Sequence, residues 1–586
     1  MQSTERYDLK PAVRVNGEHV AHTGWKAICE SIQASLESNG PNGHVLAVDC
    51  YPGVLISELS DALTAHFPSA RLTFTETLMH APDKIREMVH PDVTDDRIFG
   101  FMTRLDIDAY FDTKKLKDFQ EFISTTPQQL HIILGPGASF AFPGPHLLVY
   151  ADMARWEIQL RMRKHLVSNL GVDNKDEPDW MRQYKQGLFV DWRVADRWKK
   201  KLMHKWDFVL DTNATGHPVM VTGHAIRDAF RQTLKRPFAV VPFFDPGPWG
   251  GQWMREKFGL PKEAPNYAWC FNCVPEENSL LLDFNGVIFE TPSVNLVYIA
   301  PERLLGEAVF GRFGDEFPIR FDLLDTMGGG HLSLQVHPDT AYIREKFGLA
   351  YTQDESYYML DAAPGAQVYL GLREDIDPEA MLSELEQAAT GGPAFDADKH
   401  VNAWAAKKHD HFLIPGGTVH CSGKDSMVLE ISATPFIYTF KLWDWGRLGM
   451  DGKPRPINIG HGRNVIRWDR KTEWTERNLV NQVMVIAEGD GWKEERTGLH
   501  ETEFIETRRH WFTKSVVHHT DGSVNVLCLV EGDAVLVESP FAAFEPFEVH
   551  YAEVFIVPAQ VGTYIIRPAG QADKYATMKA FVRTNA

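Results

Sequence analysis

Leu332-Ser333-Leu334-Gln335-Val336-His337-Pro338 alternates between apolar and polar side chains. That period-two pattern predicts a β-strand. Ser333, Gln335 and His337 share one face, and Leu332, Leu334 and Val336 share the other. The apolar face suits a core; the Ser/Gln/His face suits a cavity. Two residues apart, Gln335 and His337 bring an oxygen and a nitrogen to one point, as a metal ion requires. Taken alone, the stretch also reads as a strand with its polar face in water.

Two neighbouring segments favour the metal. Glu355 lies in a second alternating run, Asp354-Glu355-Ser356-Tyr357-Tyr358-Met359-Leu360. His420 ends Phe412-Leu413-Ile414-Pro415-Gly416-Gly417-Thr418-Val419-His420, where a tight Pro/Gly turn returns a histidine to a barrel mouth. Two imidazoles, one carboxylate and one amide oxygen suit zinc ahead of iron or manganese.

The chain has 586 residues, enough for three or four compact units. It is 44% hydrophobic and 24% charged, a globular balance. Its net charge of −19 argues against a nucleic-acid surface, which needs clustered Lys and Arg. No apolar run is long enough to cross a bilayer, and the polar start Met1-Gln2-Ser3-Thr4-Glu5-Arg6 lacks a signal-peptide core. Six cysteines in this length make no disulfide framework, and Cys270 and Cys273 form a lone CxxC, so reduced thiols and a cytoplasmic location are expected. The sequence does not specify an oligomeric state.

Toward the N-terminus, His44-Val45-Leu46-Ala47-Val48-Asp49 predicts a buried strand, followed by a loop and a helix beginning at Glu58. A phosphate-binding loop belongs in that place, yet Cys50, Leu55 and Ile56 stand where Gly, Gly and Lys are needed, and only Ser57 fits. Strands at 131–134 and 147–150 and a helix at 153–163 continue an α/β pattern with a parallel sheet. The region resembles the uridine-kinase-like branch of P-loop kinases in its strand-loop-helix and in Asp152 to Arg163. Without the glycines and Lys it reads as a degenerate kinase fold kept as scaffold or sensor. Asn174 to Lys201 reads as a solvated helical face.

The turn cluster Phe243-Phe244-Asp245-Pro246-Gly247-Pro248-Trp249-Gly250-Gly251 suggests a boundary between about residues 210 and 245. Short strands follow, with helical inserts near 301–313 and 377–389. The expected architecture is a kinase-like α/β domain over 1–210, a metal-binding cupin barrel over 211–470 and a second cupin-like barrel over 471–586.

Residues from about 240 onward resemble the cupin-fold class I mannose-6-phosphate isomerases. The resemblance rests on Leu332 to Asp339, Glu355, Ile414 to His420, and Leu429-Glu430-Ile431 running on to Trp443-Asp444-Trp445-Gly446-Arg447. Trp249-Gly250-Gly251 and Arg455-Pro456-Ile457-Asn458-Ile459 add to it. It implies one zinc ion per chain, or another divalent ion, on Gln335, His337, Glu355 and His420. It also implies two β-barrel domains and interconversion of mannose 6-phosphate and fructose 6-phosphate. Family members carry Lys where this chain has Gln353, Arg where it has Lys441, and Asp where it has Ile437, while Arg447 is kept.

Such an isomerase moves a proton between C1 and C2 through an enediolate, so it needs a Lewis acid and a base. Arg447, Lys441 and Glu430 are the expected catalytic residues, with His331 a further base candidate. Ser333, Lys441 and Arg447 are expected to bind substrate. The altered positions allow two alternatives: an isomerase of another sugar or sugar phosphate, and a non-catalytic metal-dependent sugar sensor. The expected partner is a small sugar or sugar phosphate, with no membrane or nucleic acid. In the last block, Pro558 to Gly562 forms a turn without a ligand histidine, and adjacent His518 and His519 read as surface residues.

Overall fold

The computed structural model describes residues 7–38, 45–435, 438–450, 452, 455–498 and 500–583. Ile437, expected at an altered family position, lies outside them, as does His44. The chain forms two compact units. One comprises Ala12–Thr233 and Pro275–Ile299; the other comprises Met1–Pro11, Leu234–Val274 and Ala300–Ala586.

The α/β unit holds a seven-stranded sheet. Its order is Ala21–Thr23, Val219–Thr222, Phe208–Asp211, Leu147–Asp152, Val45–Cys50, His131–Gly135, Arg71–Phe74. The last five run parallel, and the first two pair antiparallel. The central strand Val45–Cys50 is buried throughout, as an apolar run covered on both faces must be.

The boundary falls inside the expected 210–245 window, at 233/234, and so beyond the 210 drawn as the end of the first domain. Strand Val219–Thr222 and helix Gly223–Thr233 complete this sheet, so its first segment runs to Thr233. Residues Pro275–Ile299, expected in the first barrel, also belong here. Their strands Ser279–Phe284 and Val287–Pro292 form a small sheet with Ala12–Arg14. Asn295 donates to Asp152 at 2.7 Å, and Lys199 reaches Asp152 at 2.8 Å. A buried charge is tolerated only with such partners, which ties the insert to the sheet.

The segment 174–201 is also corrected. Leu188, Phe189, Val190, Trp192 and Val194 are buried, and Lys199 is 1% exposed. Its lysine is held inside by the Asp152 carboxylate and the Tyr51 ring, 4.1 Å away, rather than by water. The loop after the first parallel strand is filled by the chain itself. Arg161 donates to the Gly53 carbonyl at 2.9 Å, and a Cβ on Gly53 would stand 2.7 Å from Ile158 Cγ1.

The second unit contains two double-sheeted β barrels, the mainly-β cupin-like class expected. In the first, a six-stranded sheet runs His411–Ile414, Glu355–Ala362, Ser426–Ala433, Ile319–Asp325, Trp269–Cys273, Phe243–Asp245. The facing five-stranded sheet runs Val401–Ala405, Gln367–Leu372, His420–Ser422, Leu334–Val336, Phe440–Trp443. Helices Pro301–Leu305, Glu307–Phe313 and Pro378–Ala389 occupy the two expected inserts.

The second barrel has a six-stranded sheet from Met484–Gly489 to Val554–Val557 and a four-stranded sheet from Val516–His519 to Phe547–His550. Both barrels fall in one compact unit, so contacts do not divide the chain at 470/471. His518 is corrected from surface to interior. Alternation along Val516–His519 buries Val516 and His518 and exposes Val517 and His519.

Candidate metal centre

The opening stretch is a strand over Leu334–Val336, buried on both faces. Gln335 pairs in register with His420, which sets their side chains together on one face. His337 follows two residues on. Glu355 opens the strand Glu355–Ala362 in the facing sheet. The turn that returns His420 depends on its glycines. Gly417 adopts φ +90° and donates its N–H to the His337 carbonyl at 2.8 Å. A Cβ on Gly416 would lie 2.5 Å from the Pro338 carbonyl oxygen.

The result is a compact group. His337 Nε2 lies 3.0 Å from Glu355 Oε2, and His420 Nε2 lies 2.8 Å from Glu355 Oε1. All three residues are buried, and their ligand atoms fall within 4.8 Å of one another. The Gln335 amide nitrogen is 3.2 Å from His420 Nε2, and its oxygen accepts from Ser333 Oγ at 3.2 Å. Turned over, the same amide presents its oxygen to the centre and its NH2 to Ser333.

The residues fit a divalent ion. Nδ1 of His420 faces the Thr418 carbonyl at 2.9 Å, and Nδ1 of His337 faces the Tyr438 carbonyl at 3.4 Å. Those acceptors place the ring protons outward, so both Nε2 lone pairs point inward at a carboxylate. Lone pairs facing carboxylate oxygens repel unless a cation lies between them. His337 Nε2 and Glu355 Oε1 also have no hydrogen-bond partner. Burial would raise the Glu355 carboxyl, but positive charge at the two imidazoles outweighs it and holds Glu355 well below the usual range, and a cation between them would supply the same charge.

Gln353 was not assigned a role from the sequence. Its amide donates to Glu355 Oε2 at 2.9 Å and steadies the carboxylate. Ser333, expected to touch substrate, spends its hydroxyl on Gln335.

Lys441 pairs across the sheet with Gln335. Burial, then Arg455, lowers its ammonium to about 8. Arg447 and Arg455 grip the two oxygens of Asp444 at 2.5 and 2.6 Å. Arg455 completes this group, and sequence reasoning left it without a role. Three cations around one carboxylate leave excess positive charge beside the ligand cluster.

Glu430 lies opposite Tyr357, on the same face as Glu355. Burial, reinforced by Glu355, raises its carboxyl well above the ordinary value. His331 packs against Trp445, ring centroids 4.5 Å apart and tilted by 31°, and accepts from the Lys424 N–H, so its ring is engaged outside the ligand cluster.

A mannose-6-phosphate isomerase of Streptococcus mutans is 30% identical over 220 residues, 37% of this chain and 64% of that protein. The chain is similar to mannose-6-phosphate isomerases. It spans just under two thirds of the length of that relative. Mannose-6-phosphate isomerase ManA of Bacillus subtilis is 26% identical over 234 residues, 39% of this chain and 68% of that protein. The solved Bacillus subtilis mannose 6-phosphate isomerase is a distant likeness, with 19% identity and a TM-score of 0.47. It covers 59% of this chain and 99% of the solved one. Residues 24–235, in the α/β unit, match a family model described as a domain of unknown function (DUF8485).

Proposed function

We propose that this protein is a metal-dependent aldose–ketose isomerase that interconverts mannose 6-phosphate and fructose 6-phosphate. The observation that carries the reading is the His337–Glu355–His420 cluster beside Lys441, Arg447 and Arg455. An electrophilic centre and an anion site side by side are what a sugar phosphate needs. The likeness to isomerases of that name supports it.

Gln335, His337, Glu355 and His420 would hold a zinc-class ion, which would supply Lewis acidity to the reacting end of the sugar. The chain's own groups do the rest. Arg447 and Arg455, pre-set by Asp444, receive the phosphate oxygens; a fork held in place loses little freedom on binding. Lys441, across the sheet from Gln335, adds its charge to that anion site. Glu430, kept protonated by burial, is placed to donate or hold a proton. The enclosed face excludes bulk water from the enediolate.

The α/β unit is read as a degenerate kinase-like scaffold. Arg161 and Ile158 fill the loop where phosphates would lie, and no lysine faces it from position 56.

The deciding experiment is turnover by purified, zinc-loaded protein of mannose 6-phosphate, fructose 6-phosphate, mannose and related aldoses. Phosphate-dependent isomerisation abolished by chelation is expected. Sugar binding without turnover of any of these would replace the enzyme reading with that of a sensor.

A further inference from the structure

The second barrel carries a buried polar cluster of its own. Its interior is divided. One part is an apolar core of Phe512, Val516, Leu527, Leu529, Val535, Val537 and their neighbours. The other part is lined by Glu494, Arg508, His510, Thr577 and Lys579 of the six-stranded sheet and His518 of the four-stranded one. Register places Glu494 opposite His510, His510 opposite Thr577, and Arg508 opposite Lys579, so all five share one face. His518 reaches them from across the barrel, its ring 4.4 Å from that of His510.

The negative groups here are already engaged. Glu494 meets His510 Nε2 at 3.0 Å and Arg508 at 3.1 Å, and Glu506 meets Arg508 at 2.6 Å. Several donor-capable groups are not engaged. Both ring nitrogens of His518, Nδ1 of His510 and the Thr577 hydroxyl are buried with no partner. Lys579 is 5% exposed. Among the described residues its ammonium has no hydrogen bond or ion pair; it lies 5.5 Å from the Phe581 ring, which Arg508 also flanks at 5.0 Å. Burial lowers this lysine to about 8; the charge of Glu494, already shared with His510 and Arg508, offsets that only in part. A buried, unpaired ammonium beside unpaired donors is costly unless an acceptor-rich group joins it.

We infer that this cluster is a binding site for a small phosphate-type oxyanion, held by Lys579, His518 and Thr577. A divalent cation is the wrong occupant, because Lys579 and Arg508 would repel it. These residues belong to the second barrel, apart from the ligand cluster of the first, and the inference does not rest on the isomerase reading.

Calorimetric titration and thermal unfolding of the full chain test it, with inorganic phosphate against chloride at matched ionic strength. Phosphate should bind saturably and raise the Tm by about 2 °C or more at tenfold excess over Kd. Lys441→Ala, which alters the other anion site, should keep this effect. Lys579→Met should weaken it at least tenfold, with the phosphate-free Tm unchanged or higher, since an unpaired buried charge is removed. His518→Leu serves as the second variant and should weaken binding in the same direction. Mannose 6-phosphate titrated into Lys441→Ala with and without Lys579→Met separates the sources: binding that Lys579→Met removes and that is tighter than that of free phosphate identifies a phosphate ester, equal or weaker binding the free ion. Phosphate affinity unchanged in both Lys579→Met and His518→Leu would overturn the inference. So would the absence of saturable phosphate binding, or a Tm that falls in Lys579→Met as for a purely structural lysine.

Discussion

His337 Nε2 stands 3.0 Å from Glu355 Oε2 while the other nitrogen of the same ring faces the Tyr438 carbonyl. The carbonyl fixes the tautomer, and the tautomer leaves a lone pair aimed at a carboxylate. Histidine and glutamate arrive from different sheets of one barrel, so a cation between them would also lock the sheets together.

Metal content follows directly. The protein should hold about one zinc-class ion per chain, since four donors converge on one point. His337→Ala should lose most of it. Chelation should lower the Tm of the barrel unit by roughly 5 °C or more, because a ligand bound only to the native state stabilises it. Elemental analysis and thermal unfolding check both; a fully metallated His337→Ala would exclude the ligand assignment.

Gln353 should matter through Glu355. Removing its amide in Gln353→Ala leaves Glu355 Oε2 without that donor. Loss of such an outer partner typically costs about 10–100-fold in metal affinity. Competition with a chromogenic chelator gives the number. An affinity within twofold of wild type would mean the contact does not position the carboxylate.

Substrate choice turns on Lys441. For a phosphorylated substrate, Lys441→Ala should raise KM by roughly ten- to a hundredfold, the loss of one charge-assisted hydrogen bond of about 1.5–3 kcal/mol. Unphosphorylated sugars should be nearly unaffected. The measurement is kcat/KM for mannose and mannose 6-phosphate in both proteins. Preference for the neutral sugar, with both series changing alike, would instead favour a neutral-sugar isomerase.

The α/β unit should not phosphorylate nucleosides, and Ile56→Lys should not create ATP binding, because Arg161 and Ile158 already fill the loop. Equilibrium dialysis with ATP and a nucleoside kinase assay are the checks. ATP-dependent turnover by the wild-type chain would end the scaffold reading.

Acid should loosen the join between the barrels. His411 is buried, with Nδ1 3.1 Å from the Thr497 carbonyl, and burial lowers it to about 3. Its folded value lies below the unfolded one, so the unfolded chain binds the extra proton between about pH 6.5 and 3. Stability should therefore fall with pH across that window, by up to about 1.4 kcal/mol per unit from this group. Denaturant unfolding from pH 7 to 4 should show a shallower slope in His411→Gln. Identical slopes would assign the acid sensitivity to other groups.

What the sequence determined was local. Alternation around Gln335 and around Glu355 set which side chains share a face, and Pro415-Gly416-Gly417 set the turn that returns His420. Residue types then limited the chemistry to a metal. The tertiary structure decided which faces meet. Register placed Gln335 beside His420 on one strand and Lys441 on the other, and added Arg455 to the anion site. It returned residues 275–299 to the α/β unit, buried Lys199 against Asp152, and turned His518 into the second barrel. None of these follows from neighbours in sequence. Strand pairing and the burial of charge are set by distant partners, and a lysine or histidine reads as surface until the group that holds it inside is known.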